Sequence, residues 1–113
     1  MDSIASDIGS VEEWNHPDRL SRGELADCRG ERREEHVAAR VLAKSLVLRS
    51  LDDEVADGWD GIECRKTEKG RPFLELTGEV RRAAHRAEWG EIHVSWSHTE
   101  NTVVAILWAT EER

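Results

Sequence analysis

Three cations stand in the longest stretch of helical character, residues 37–51 (VAARVLAKSLVLRSL), which contains no Gly or Pro. Because side chains four apart share a ridge of a helix, Arg40 and Lys44 emerge along one ridge, and Ser45 and Arg49 along another. Cations on two ridges could line a cleft for an anionic ligand such as a phosphate. Alternatively, the cations extend to solvent and pair with acids. Those acids would be Asp52, Asp53 or Glu35.

The helix that carries these cations is apolar around most of its surface. Val37, Val41 and Leu48 cluster on one side, whereas Leu42 and Leu46 point well away from them. A helix that is apolar on most sides is a buried one. The pattern therefore predicts a buried helix that must also position three charged side chains.

Further candidate site residues lie outside this helix. Asp7 falls within residues 3–11, whose loose alternation predicts a short strand, and it is either a solvent-facing residue of an edge strand or a site residue. Gly70 and Arg71 form a turn at which a backbone could approach a ligand closely. The histidines and cysteines form no HxxxH or CxxC pattern, so they predict no zinc site.

The rest of the pattern predicts short helices and antiparallel strands around the long helix. The segment S-R-G-E at Ser21 is a capping-box pattern and predicts a short helix through Cys28. The order of elements predicts an α+β fold in a single domain, residues 1–113, with the long buried helix packed on a mainly antiparallel sheet. Further strands are predicted at 62–66, 72–76, 92–96 and 102–109, and a helix at 79–89 closed by Gly90.

Length and charge limit the possible partners. A chain of 113 residues fits one domain, and a net charge of −8 argues against nucleic acid or an anionic membrane as the main partner. No apolar run approaches the ~20 residues that span a bilayer. With two cysteines and no secretory signal pattern at the N-terminus, we expect a reducing, cytoplasmic setting.

Several segments, taken together, resemble one protein family. Residues 39–51, A-R-V-L-A-K-S-L-V-L-R-S-L, are similar to a signature that reads roughly E-R-F-A-A-K-E-A-x-x-K-A-L. Other matching segments follow in the family's order: S-D-I-G-S-V (6–11), L-S-R-G-E-L-A-D-C (20–28), W-D-G-I-E-C (59–64), G-R-P-F-L-E-L-T-G (70–78) and V-S-W-S-H-T (94–99). The family is that of the holo-[acyl-carrier-protein] synthases, and the resemblance implies the 4′-phosphopantetheinyl transferase fold.

The resemblance also implies an activity. The family transfers 4′-phosphopantetheine from coenzyme A to a serine of an acidic acyl or peptidyl carrier protein, with magnesium, commonly as a homotrimer whose sites lie between subunits. Asp7 would be a magnesium ligand, Arg19 and Arg22 would meet the carrier protein, and the catalytic positions would be Asp7, Lys44, Ser45 and His98. Contacts with coenzyme A would come from Arg40, Lys44, Arg49, Gly70, Arg71, Pro72 and Ser97.

Ser45 is the main departure from the family signature, which has a metal-binding glutamate there. Magnesium prefers carboxylate oxygens and water, whereas a serine offers a neutral oxygen on a shorter arm. Arg49 stands where a lysine is usual and keeps the charge but not the geometry. Three functions therefore stay open. They are an active transferase whose metal shell is completed by water, Glu12 or Asp52, a repurposed homologue with a different small-molecule activity, and a non-catalytic subunit that binds carrier protein.

Overall fold

The computed structural model describes residues 2–51, 55 and 58–112, and it is built from helices and antiparallel strands. The α+β prediction is confirmed. The acids Asp52 and Asp53 lie outside the described residues. The strands are β1 (Ser3–Ser10), β2 (Ile62–Lys66), β3 (Pro72–Leu76), β4 (Trp89–His98) and β5 (Thr102–Glu111). The helices are α1 (Val11–Trp14), α2 (Arg22–Ala26), α3 (Arg33–Ser50) and α4 (Gly78–Arg86), with 3₁₀ turns at Pro17–Arg19 and Gly58–Gly61.

The larger sheet has the order β1–β5–β4, and both pairings are antiparallel. Strand β5 is central because its inward residues, Val103, Ala105, Leu107 and Ala109, form an unbroken apolar row that is at most 2% exposed. Strands β2 and β3 form a separate hairpin with the predicted boundaries, and its turn uses Gly70 at φ +81°, a conformation that favours glycine.

Helix α3 packs across the larger sheet and is buried along residues 37–48. It begins at Arg33, within the run of charged residues before residue 37, and Glu34 and Glu35 in its first turn complement the positive end of the helix dipole. At 18 residues it is about 27 Å long, so it spans the molecule. None of the helices in the described part of the chain is long and apolar enough to cross a membrane.

The end of α4 differs from the prediction. The sequence predicts a helix over residues 79–89 with Gly90 as its C-terminal cap, but α4 ends at Arg86 and Gly90 lies inside β4. Trp89 already pairs with Glu111 in the sheet, so the chain has to turn before it. Glu88 makes that turn at φ +61°.

Candidate functional site

Asp7, which lies far away in the sequence, meets Ser45 and Arg49 at the C-terminal part of α3. The guanidinium of Arg49 donates through Nη1 to Asp7 Oδ2 at 3.0 Å and through Nη2 to Ser45 Oγ at 3.0 Å. Its Nε donates more weakly to the Ser45 carbonyl oxygen at 3.4 Å. The Ser45 hydroxyl donates in turn to the Leu42 carbonyl oxygen at 2.7 Å. We call Asp7, Ser45 and Arg49 the Asp7 group.

Strand β1 and helix α1 position this group. Asp7 lies on the face of β1 that points towards α3, and its Oδ1 accepts the Ile8 backbone N–H at 2.8 Å. That bond, followed by the contact with Arg49, lowers the pKa of Asp7 below its ordinary value. The Trp14 ring of α1 lies 5.7 Å from the guanidinium. A Cβ at Gly9 would come within 2.3 Å of Trp14 Nε1, so a glycine is required for this close packing.

The residues of the Asp7 group do not fit a magnesium ion. Magnesium selects oxygen ligands, with carboxylates as its usual protein anchors. Here the one carboxylate already faces a guanidinium, and the Ser45 hydroxyl donates its hydrogen to one partner and accepts from Arg49. Among the residues that the structure describes, no three His, Cys, Asp or Glu side chains cluster as metal ligands. The role of Asp7 as a metal ligand therefore has no support in the geometry.

Lys44 is occupied by a buried ion pair. Its Nζ donates to Glu24 Oε1 and to the Arg19 carbonyl oxygen, both at 2.8 Å, and neither charged side chain is more than 1% exposed. Glu24 Oε1 also accepts the Ser21 N–H at 2.9 Å, and its Oε2 accepts the Cys64 N–H at 2.8 Å. The pair thus ties α2, α3 and β2 together. The catalytic and phosphate-binding role of Lys44 stays a prediction, and it would require this pair to open.

Arg40 is also buried, at 1% exposure. Its Nη1 donates to the His36 carbonyl oxygen at 3.2 Å, and its guanidinium lies 5.4 Å from the Trp96 ring. Its Nε has no hydrogen-bond partner in the part of the chain that the structure describes. The alternative that the cations extend to solvent is wrong for Arg40 and Lys44. Arg49 is exposed and pairs with Asp7, whereas its pairing with Asp52 or Asp53 falls outside the described residues. The contact of Arg40 with coenzyme A stays a prediction, because a single chain offers a ligand almost none of its surface.

His98 belongs to a second cluster, near the start of α3. Its Nδ1 lies 3.0 Å from Glu35 Oε1, and its ring makes an edge contact with the His36 ring at 5.1 Å between centroids. Burial, followed by the nearby charges of His98 and Arg40, lowers the pKa of His36 below its ordinary value of 6.5. Ser97 points to the opposite, exposed face of β4, so the structure separates it from its neighbour His98. We call Glu35, His36 and His98 the His98 group.

The two groups lie at different levels of the same helix. Glu35 and Ser45 are ten positions apart on α3, which is about 15 Å along its axis. Gly70 and Arg71 line a shallow depression at the tip of the β2–β3 hairpin, formed with Thr67, Glu68 and Lys69. Pro72 begins β3 next to this tip. Each of these places therefore carries part of the predicted site, and their roles stay predictions.

The sequence does not predict the roles of three residues at these clusters. The sequence pattern identifies Glu24 only as part of the capping box, which is present as predicted, whereas the structure also pairs its carboxylate with Lys44. A lysine in an otherwise apolar helix signals a buried acid, but the pattern cannot say which acid. In the sequence Glu35 is an acid near the start of the long helix and a candidate partner of the cations, and nothing links it to His98. Trp14 gives no signal for its place beside Arg49.

Comparison with solved structures establishes the class of fold. The ACPS–CoA complex of Chronobacterium ammoniagenes superposes with a TM-score of 0.79 at 20% identity and covers 100% of this chain and 99% of that one. The acyl carrier protein synthase of Mycobacterium tuberculosis superposes with a TM-score of 0.70 at 25% identity over 96% of both chains. The fold is therefore that of the acyl-carrier-protein synthases.

Comparison with curated proteins establishes the family. The holo-[acyl-carrier-protein] synthase of Moorella thermoacetica is 33% identical over 97 residues, which is 80% of this chain and 76% of that protein. The corresponding enzyme of Frankia alni is 33% identical over 79 residues, which is 70% of this chain and 67% of that protein. No protein-family model matches the chain. The chain belongs to the holo-[acyl-carrier-protein] synthase family, as the resemblance of its motifs predicted.

Proposed function

We propose that this chain transfers 4′-phosphopantetheine from coenzyme A to a serine of an acyl or peptidyl carrier protein. The observation that carries the proposal is the continuous relationship to curated holo-[acyl-carrier-protein] synthases over 80% of the chain, on the same fold as an ACPS–CoA complex. Coenzyme A is the donor substrate. The magnesium that the motif resemblance implied is not part of this proposal, because the Asp7 group does not fit it.

The reaction displaces adenosine 3′,5′-diphosphate from a pyrophosphate. The serine oxygen of the carrier forms a new bond to the phosphorus next to the pantetheine, the bond from that phosphorus to the bridging oxygen breaks, and the serine proton must leave. His98 suits the role of proton acceptor. Because Glu35 holds the Nδ1 side of the ring at 3.0 Å, Nε2 is the nitrogen left free to take the proton.

An exposed apolar face supports assembly into a homotrimer. The outer face of the β1–β5–β4 sheet carries Ile4 and Ile8, which are 74% and 64% exposed, beside Ile106 and Trp108, which are 47% and 43% exposed. Ile4 lies opposite Trp108 in the β1–β5 register, so these side chains form one patch. Contiguous apolar surface of this kind marks an interaction site. A second copy seated there could also bring parts of the site from two chains together.

The carrier protein would dock on the cationic surface before α3. Arg22 is exposed at the start of α2, and Arg19 is 44% exposed with its guanidinium 4.6 Å from the Trp59 ring. Exposed cations attract an acidic partner and guide it into register. Carrier proteins and coenzyme A meet in the cytoplasm, which is the setting we propose.

The direct test is to weigh an apo carrier protein after incubation with this chain and coenzyme A, with and without magnesium. We expect one 4′-phosphopantetheine per carrier. His98→Gln should lower kcat, whereas Arg22→Ala should raise KM for the carrier and leave kcat similar, with Arg82→Ala on the distant helix α4 as control. No mass gain across a panel of apo carriers, under conditions in which a family enzyme modifies them, would overturn the proposal.

A repurposed homologue is the second candidate, and the ion pair of Arg49 with Asp7 favours it. With Asp7 paired to a guanidinium, the Asp7 group could bind a different phosphate ester, and the chain could process it. The third possibility, a non-catalytic subunit, predicts carrier binding without turnover that weakens as salt is added. Binding of coenzyme A without transfer to any carrier would favour the second candidate. Binding of carrier without coenzyme A would favour the third.

A further inference from the structure

The Asp7 group already has a cation at its centre. Arg49 joins the Asp7 carboxylate on β1 to the Ser45 hydroxyl on α3 through separate nitrogens, each at 3.0 Å. These two positions are the ones at which the family signature leads us to expect two carboxylates around a metal. In this chain one of them is a neutral hydroxyl, so a single positive charge balances the group.

The guanidinium keeps donors free for a ligand. It has five N–H bonds, and three of them point to Asp7 Oδ2, Ser45 Oγ and the Ser45 carbonyl oxygen, which leaves two without a partner among the described residues. The Arg49 side chain is 51% exposed, so the free donors can reach solvent and a bound anion. The planar guanidinium is held on two sides and has Trp14 beside it. Such a guanidinium is well suited to bind a phosphate through two parallel hydrogen bonds.

We propose that the Arg49 guanidinium is the resident cation of this site and that it binds a phosphate of the ligand without a divalent metal ion. The two departures from the family signature, Ser45 in place of glutamate and Arg49 in place of lysine, then belong together. The Arg49 guanidinium supplies the positive charge in place of the metal ion, and the Ser45 hydroxyl accepts a hydrogen bond from it. This inference rests on the proposed function only in its choice of coenzyme A as the phosphate ligand.

The first test measures metal binding with no substrate present. Mn²⁺ serves as the probe, followed through its electron paramagnetic resonance signal and the relaxation of protein resonances near Asp7. We expect no saturable binding of Mn²⁺ at the Asp7 group of the wild-type chain. In the double variant Ser45→Glu/Arg49→Lys we expect saturable binding of Mn²⁺, and the further substitution Asp7→Asn should abolish it. Ser45→Glu alone should gain much less, because the introduced carboxylate would pair with Arg49 four positions along the helix.

The second test measures affinity for coenzyme A by calorimetry, in EDTA and in excess magnesium. The wild-type values should agree within about twofold, whereas the double variant should bind more tightly with magnesium. Arg49→Lys alone should weaken metal-free binding by about tenfold, which corresponds to the loss of a charge-assisted hydrogen bond. Arg82→Lys, at the exposed pair of Arg82 with Glu79, is the matched control and should change nothing.

The outcomes separate this inference from the proposed function. Metal-independent binding of coenzyme A without transfer supports the role of Arg49 and counts against the transferase. Transfer that requires magnesium, together with Mn²⁺ binding that Asp7→Asn abolishes in an otherwise wild-type chain, supports the transferase and overturns the role of Arg49. If coenzyme A does not bind at all, the Mn²⁺ experiment alone decides.

Discussion

Replacing Lys44 by methionine tests whether this lysine is structural or contacts the ligand. The change removes an ammonium whose Nζ lies 2.8 Å from Glu24 Oε1 and leaves that carboxylate buried at 0% exposure without its cation. Breaking one side of a buried ion pair typically costs about 3–5 kcal/mol. A domain of this size has a total stability of about 5–15 kcal/mol, so Lys44→Met should fold but unfold at much lower denaturant.

The assay is urea unfolding at a fixed chain concentration, since assembly of subunits would add to the apparent stability. The double variant Glu24→Gln/Lys44→Met should be more stable than Lys44→Met by at least about 1 kcal/mol, because it no longer buries an unpaired charge. Lys66→Met, at the exposed end of β2, is the matched control and should stay within about 0.5 kcal/mol of wild type. Lys44 contacts the ligand and is not chiefly structural if Lys44→Met costs under about 1 kcal/mol and abolishes binding of coenzyme A.

Three further predictions concern thiols, pH and assembly. Cys28 and Cys64 are 2% and 0% exposed, and burial raises the pKa of both thiols. A thiol reagent should therefore modify neither cysteine in the native state and both in denaturant, and rapid modification of either in the native state would contradict their burial. The pKa of His36 is lowered chiefly by burial, then by His98, Arg40 and Lys66, so the unfolded state binds the extra proton and stability falls as pH drops below about 6.5. Between pH 7 and about 5, the free energy of unfolding should fall less for His36→Gln than for wild type or for His85→Gln, which changes an exposed histidine. Equal falls in all three would contradict the role of His36. Ile8→Asp should shift the sedimentation of the chain towards the monomer, whereas Ser3→Asp on the same strand should not, and an unchanged mass for Ile8→Asp would exclude this face as the interface.

Short sequence patterns were enough to predict much of the fold. The turn TEKGR predicted the β2–β3 hairpin with its observed ends, because Gly70 at the tip takes a left-handed conformation that few other residues adopt. The capping box before α2 could also be predicted, because the side chains of Ser21 and Glu24 each accept a hydrogen bond from the other residue's backbone N–H over three positions. The end of α4 was misread because the strand pairing of Trp89 with Glu111, a long-range contact, decides where that helix stops.

The candidate site depends on contacts that periodicity does not encode. Arg49 reaches Asp7 across 42 positions, and Lys44 reaches Glu24 across 20. Periodicity showed that the helix was buried and charged, but it could not choose among the 24 acids of the chain as partners. Resemblance to the family singled out Asp7 and Ser45. Only the structure joined them through Arg49 and showed that Lys44 has a different partner.

The central claim is that this chain charges a carrier protein with phosphopantetheine. The most direct measurement is the intact mass of an apo carrier after incubation with the chain and coenzyme A in EDTA. We expect one added 4′-phosphopantetheine on the carrier serine, together with release of adenosine 3′,5′-diphosphate. This chain is not the transferase if the carrier keeps its apo mass both in EDTA and in magnesium while a family enzyme modifies it fully.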